Sequence, residues 1–154
     1  MLKSKLDINY KIQIYWKDYM RNNHCYTYFI ITGDFKTDEI TKILGLTPCE
    51  KWDIGDLRRN GNNRYDFASW KYGLCEEYDW EVEKQMMKTI EDLVPKTNEL
   101  KQIKEKYDVS MYLRIVPNIY TEEKMCLAPN RQVIEFCYHS GIEIDIDMYV
   151  YMSD

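Results

Sequence analysis

The chain has 154 residues, 45% of them hydrophobic and 31% charged, with only four Pro and six Gly; this suits one domain with a core of its own and excludes linker-like or collagen-like composition. Its 21 Lys and Arg against 26 Asp and Glu leave a net charge of −5, which excludes sequence-independent attraction to nucleic-acid phosphates or anionic lipid as the main activity and favours a basic partner. No apolar stretch has the length of a membrane span, and Asp7, Asn9, Lys11 and Gln13 interrupt any signal-peptide core after Met1.

Ile8, Tyr10, Ile12, Ile14 and Trp16 alternate with polar residues, a period of two that predicts a half-buried strand. After a polar stretch from Lys17 to His24, the segment Tyr26 to Ile31 is apolar on both faces and reads as a central strand ended by Gly33 and Asp34. Thr37 is placed to cap a helix, with Asp38 and Glu39 at its positive end, Ile40, Ile43 and Leu44 inward, and Gly45 as its stop. Glu50 to Tyr65 is rich in turn formers (Gly55, Asn60, Gly61, Asn62, Asn63) and is expected to be an irregular, mobile loop. Asp66 to Leu74, with Phe67, Trp70 and Tyr72, resembles another strand.

From Asp79 the spacing of Met86, Met87, Ile90, Leu93 and Val94 predicts a long helix, divided by Pro95 from a second one over Lys96 to Tyr107 with Leu100, Ile103 and Tyr107 inward. Val109, Met111, Leu113 and Ile115 alternate with Ser110, Tyr112 and Arg114 as a strand. Pro129 opens a helix through Val133, Ile134, Cys137 and Tyr138, which Gly141 closes with His139 in the last turn. A final strand from Ile142 to Val150 sets its isoleucines on one face and Glu143, Asp145 and Asp147 on the other. Several strands with one polar face predict an α+β two-layer sandwich, a mostly antiparallel or mixed sheet with helices on one side, in an element order that ferredoxin-like units also give. One domain over residues 1–154 is expected, and the five cysteines, odd in number and without a C-x-x-C pair, are expected to be reduced thiols of a cytoplasmic protein.

The segments Phe29 to Phe35, Asp38 to Ile40, Leu44 to Pro48, Trp52 with Gly55 and Asp56, Ser69 with Trp70, Leu93 to Lys96 and Ile144 to Tyr149, in this order, resemble the bacterial domain of unknown function 4279. The resemblance runs from Phe29 to Tyr149 and leaves the N-terminal strand, within residues 1–25, as an extension. It implies no established activity. In gene setting the family is similar to bacterial families found near toxin genes, where small cytoplasmic immunity proteins occur.

Glu143, Asp145 and Asp147 should project from one strand face about 7 Å apart, a row that can hold a cation or a basic partner or simply face solvent. Trp52, beside Asp53 and Asp56 in the turn-rich loop, is the tryptophan least easily explained as core, whereas Trp70 and Trp80 suit packing. No phosphate-binding glycine pattern, serine elbow or closely spaced metal-ligand set occurs. The expectation is a non-enzymatic cytoplasmic binding protein, an immunity protein meeting a basic toxin domain through Trp52, Asp53, Asp56, Glu143, Asp145 and Asp147, with no cofactor, metal, nucleic acid or membrane. Two alternatives stand beside it: a carboxylate- and metal-dependent hydrolase using Asp145, Asp147 and His139, and a protein that self-associates through the strand from Ile8 to Trp16.

Overall fold

The computed structural model describes residues 22–59, 61–73 and 81–151. The strand expected from Ile8 to Trp16, together with Trp16 and Trp80, lies outside these. The described elements follow the order β1 (His24–Gly33), α1 (Thr37–Leu44), β2 (Glu50–Trp52), β3 (Ala68–Gly73), α2 (Val82–Ile90), a 3-10 turn (Val94–Lys96), α3 (Thr97–Lys106), β4 (Val109–Ile119), α4 (Arg131–Ser140), β5 (Glu143–Ile146) and β6 (Tyr149–Val150). The six strands form one mixed sheet in the order β2-β3-β1-β4-β5, with β6 also against β4. β1 pairs antiparallel with β3 and β4, and β2 antiparallel with β3, whereas β5 and β6 run parallel to β4. A parallel neighbour needs a crossover, which α4 supplies. This is the α+β architecture that the sequence predicts.

Alternation divides each strand between two environments. Cys25, Phe29 and Ile31 of β1, Trp70 of β3 and Met111, Leu113 and Ile115 of β4 are buried against Ile40, Met86, Ile90, Leu100, Ile103 and Val133 of the helices. Trp70, fully buried, meets the edge of Phe29 at a centroid distance of 6.4 Å and donates from Nε1 to Thr41 Oγ1 at 2.9 Å, so it has the core role expected of it. Thr27 points to the same side, where its hydroxyl donates to the Gln85 carbonyl of α2 at 3.0 Å and bonds the Thr89 hydroxyl. The opposite face carries Tyr28, Ile30, Tyr112, Arg114 and Val116, of which Tyr28, Ile30 and Val116 form a second, smaller apolar cluster.

Several local expectations are corrected. Thr37 is the first residue of α1 rather than its cap; Lys36 is the N-cap, and the Asp53 carboxylate accepts the Thr37 N–H at 2.9 Å from across the loop. Asn130, not Pro129, opens α4, its side chain accepting the Val133 N–H. In α4 the inward stripe is Val133, Phe136, Cys137 and Ser140, whereas Ile134 and Tyr138 are exposed. The long helix ends at Ile90, before Pro95, and the chain passes through the 3-10 turn into α3. The final strand is two pieces, and its apolar row leaves the helix cover after Ile144, since Ile146, Met148 and Val150 are 46%, 48% and 59% exposed.

Candidate functional site

The stretch from Glu50 to Tyr65 is more ordered than its composition predicts. Glu50–Trp52 adds an edge strand to β3, and beyond it a short ladder forms through Gly55 N to Tyr65 O, Tyr65 N to Asp56 O and Arg58 N to Asn63 O. Gly61, with φ 73°, closes the turn inside this ladder in the left-handed region that glycine adopts without steric cost. The ladder sets Tyr65 flat against Trp52, at a centroid distance of 4.4 Å and 15° between planes, with Phe67 edge-on to Trp52 at 6.1 Å. Trp52 pairs with Ser69 across the β2–β3 register and so lies on the face opposite the helices.

Trp52 and Phe67 of this group form one wall of a cavity of about 530 Å³ on that face. Tyr28 and Ile30 of β1 contribute to its lining, as do Tyr112 and Arg114 of β4, Lys71 of β3 and Asp108. Lys71 Nζ lies 5.2 Å from the Tyr28 centroid and 5.3 Å from the Trp52 centroid, and donates to Glu50 Oε2 at 2.6 Å. Arg114 sits 5.8 Å from the Tyr112 centroid and donates from Nε to Asp145 Oδ2 at 2.8 Å, with Nη2 at 2.7 Å from the same oxygen. Burial pulls the Arg114 guanidinium down, but its bonds to Tyr28 and Asp145 outweigh this and hold it above its ordinary value. Both cations thus rest on aromatic rings and are neutralised by carboxylates of the same chain. Among the described residues, Trp52 Nε1 and the neighbouring Ser69 Oγ are buried polar atoms without a hydrogen-bond partner.

The six residues expected to meet a partner separate into distinct roles. Trp52 and Asp145 share the cavity face but stand on strands at opposite edges of the sheet, with β3, β1 and β4 between them. Asp53 serves the start of α1, and Asp56 accepts the Asp53 N–H at 2.8 Å, so both carboxylates hold the loop. Of the acidic row, Glu143 is exposed, Asp145 is taken by Arg114, and Asp147 accepts the Tyr149 hydroxyl at 3.2 Å. The arrangement of Asp145 and Asp147 with His139 is not assembled, because α4 carries His139 on the helix side whereas Asp145 faces the other. No group of three His, Cys, Asp or Glu among the described residues could hold a metal ion.

Lys71, Arg114, Tyr28 and Tyr112 are the site residues that the sequence reading missed. Their signal was a cation or tyrosine at an outward position between apolar or aromatic inward ones, as in Leu113-Arg114-Ile115 and Trp70-Lys71-Tyr72. The cysteines also need a correction: Cys49, next to β2, is disulfide-bonded, while Cys25, Cys126 and Cys137 are free thiols. Burial raises the Cys25 thiol to about 12 and the Cys137 thiol to about 11, which keeps both unreactive.

The family model described as "Domain of unknown function (DUF4279)" matches residues 23–151. The chain belongs to the DUF4279 family. The match covers every described strand of this DUF4279 domain and both edges of the cavity face. No curated protein and no solved structure matches the chain. Among the described residues, no helix is long and apolar enough to cross a membrane.

Proposed function

We propose that this DUF4279 domain is a non-enzymatic binding protein, an immunity protein that neutralises a cognate toxin by direct contact, with the cavity between Trp52 and Arg114 receiving a side chain or loop of that partner. The observation that carries the reading is a concave, aromatic-walled recess of about 530 Å³ whose two cations are already ion-paired within the chain. That volume falls in the range of sites built for recognition, and paired charges resting on rings offer shape and flat apolar surface rather than a group free to move a proton. Rigid aromatic anchors in a desolvated pocket are the residues that dominate interface energy. The net charge of −5 adds attraction for a basic partner, which speeds encounter more than it tightens the complex. A cytoplasmic location goes with this reading; the free thiols of Cys25, Cys126 and Cys137 support it, and the Cys49 disulfide argues against it.

The test is co-expression with the product of the adjacent gene, followed by purification of the pair and titration of variants. Trp52→Ala and Tyr112→Ala should each weaken the complex by about 30-fold or more, equivalent to about 2 kcal/mol, with circular dichroism unchanged. Absence of a stoichiometric complex, or an affinity indifferent to both substitutions, would overturn the proposal.

A further inference from the structure

The sheet ends, among the described strands, on β5 and β6, which pair with β4 alone. Asp147 N–H donates to Ile115 O at 2.9 Å and Tyr151 N–H to Ile119 O at 2.8 Å, so the backbone groups of the odd-numbered residues turn toward β4. Successive residues of a strand aim their N–H and C=O groups to opposite sides. The groups of Ile144 and Ile146 therefore point outward along the edge. The helix-side row beside them is apolar, with Ile146 and Val150 in register with Ile115 and Ile119, while the cavity-side row holds Glu143, Asp145 and Asp147 followed by Tyr149, in register with Asn118. Tyr149 and Tyr151 are 45% and 50% exposed and stack at 6.4 Å, with Tyr120 against Tyr151 at 4.6 Å. No described strand pairs with this edge, and its outward N–H and C=O groups are a template for an added strand.

We infer that the β5–β6 edge accepts an extended segment of a partner protein as a further strand, and that this segment alternates basic with apolar residues. Charge selects the occupant. Once Arg114 has neutralised Asp145, Glu143 and Asp147 leave the edge acidic. A second copy is the poorer occupant, because antiparallel pairing centred on Asp145 sets Glu143 of one copy opposite Asp147 of the other, and parallel pairing sets each acid beside itself. Like charges directly opposite destabilise a strand pair, whereas Lys or Arg at those positions stabilises it. The inference stands apart from the cavity, whose wall at Trp52 is at the far edge of the sheet.

The experiment uses the full chain and a short synthetic peptide alternating Lys with Val and Tyr, read by fluorescence anisotropy in low salt, beside the same peptide with Glu for Lys. The Lys peptide should bind about tenfold or more tighter than the Glu peptide, as expected for two exposed charge pairs changing sign, and bound peptide should slow amide exchange at Ile144 and Ile146. Ile146→Pro, which removes an outward N–H, should abolish binding while circular dichroism and Cys126 reactivity stay as in wild type. A charge-reversed chain, Glu143→Lys with Asp147→Lys, should invert the peptide preference, a result that a merely damaged fold cannot give. Trp52→Ala should bind the Lys peptide as wild type does, so that loss of the cavity reading and loss of this one are told apart. Equal binding of both peptides, binding of neither, or a wild-type dimer in sedimentation that Ile146→Pro dissolves would overturn the inference, the last by making a second copy the occupant.

Discussion

Replacing Thr27 and Thr89 by Val, singly and together, asks whether a pair of hydroxyls fixes α2 to the central strand. Both threonines are fully buried; the Thr27 hydroxyl donates to the Gln85 carbonyl at 3.0 Å, and Thr89 donates toward Thr27, whose carbonyl is 3.3 Å from it. Thr27→Val strands the Thr89 hydroxyl on that longer contact in a dry site, and a buried group left poorly bonded costs about 1–3 kcal/mol. Thr89→Val leaves Thr27 its bond to Gln85, so its cost belongs near the ~1 kcal/mol of one ordinary hydrogen bond. With both hydroxyls gone no polar side-chain atom of the pair remains unsatisfied, and the double variant should lie within about 1 kcal/mol of wild type. With the double variant costing about 1 kcal/mol, the coupling amounts to about 1–3 kcal/mol, a magnitude that neighbouring groups in one network show. Urea unfolding followed by tryptophan fluorescence for all four proteins gives the cycle. Strict additivity, with the double variant as unstable as the two singles summed, would refute the argument that the hydroxyls act as one unit.

Other expectations follow from single contacts. Asp53→Asn should cost about 1 kcal/mol as the loss of a charged cap on α1. Burial raises the Asp53 carboxyl, but the Thr37 hydrogen bonds and the Lys36 and Lys51 charges outweigh that and hold it below its ordinary value. Its stabilising effect is therefore complete above the unfolded carboxylate range and lost as pH falls through the lower folded value, so the gap between wild type and Asp53→Asn should shrink in acid denaturation curves. Gly45→Ala should cost about 1 kcal/mol in thermal unfolding, because Gly45 closes α1 at φ 65° with nothing within 4 Å of the added methyl, leaving backbone strain as the whole penalty. Of the three free thiols, Cys126 alone should react quickly with a disulfide reagent in native buffer, Cys126→Ser should abolish that fast phase, and Cys25 and Cys137 should react only after unfolding.

Strands with strict alternation declared themselves because two solvents, core and water, select opposite residue types at successive positions. The row Val109, Met111, Leu113, Ile115 is buried as its spacing requires, and Gly45 and Gly141 end α1 and α4 in left-handed conformations. The stretch after Glu50 was less readable, since its order comes from backbone pairs such as Arg58 with Asn63 and from Tyr65 stacked on Trp52, which turn composition does not encode. The cavity was hidden for a related reason. Its cations and rings come from four strands, and only the order β2-β3-β1-β4 brings Trp52, Lys71, Tyr28 and Arg114 to one face. The acidic row was visible, but not that Arg114 in register opposite Asp145 consumes its middle charge.

The placement of β1 at the centre of the sheet bears on how the chain is made. Its two neighbours are β3 and β4, and β4 ends at Ile119, so a ribosome must deliver most of the polypeptide before this early apolar strand has both flanks occupied. During that interval the newborn segment from His24 to Gly33 carries an open side, and nascent chains stalled before β4 should engage chaperones where chains stalled after it do not.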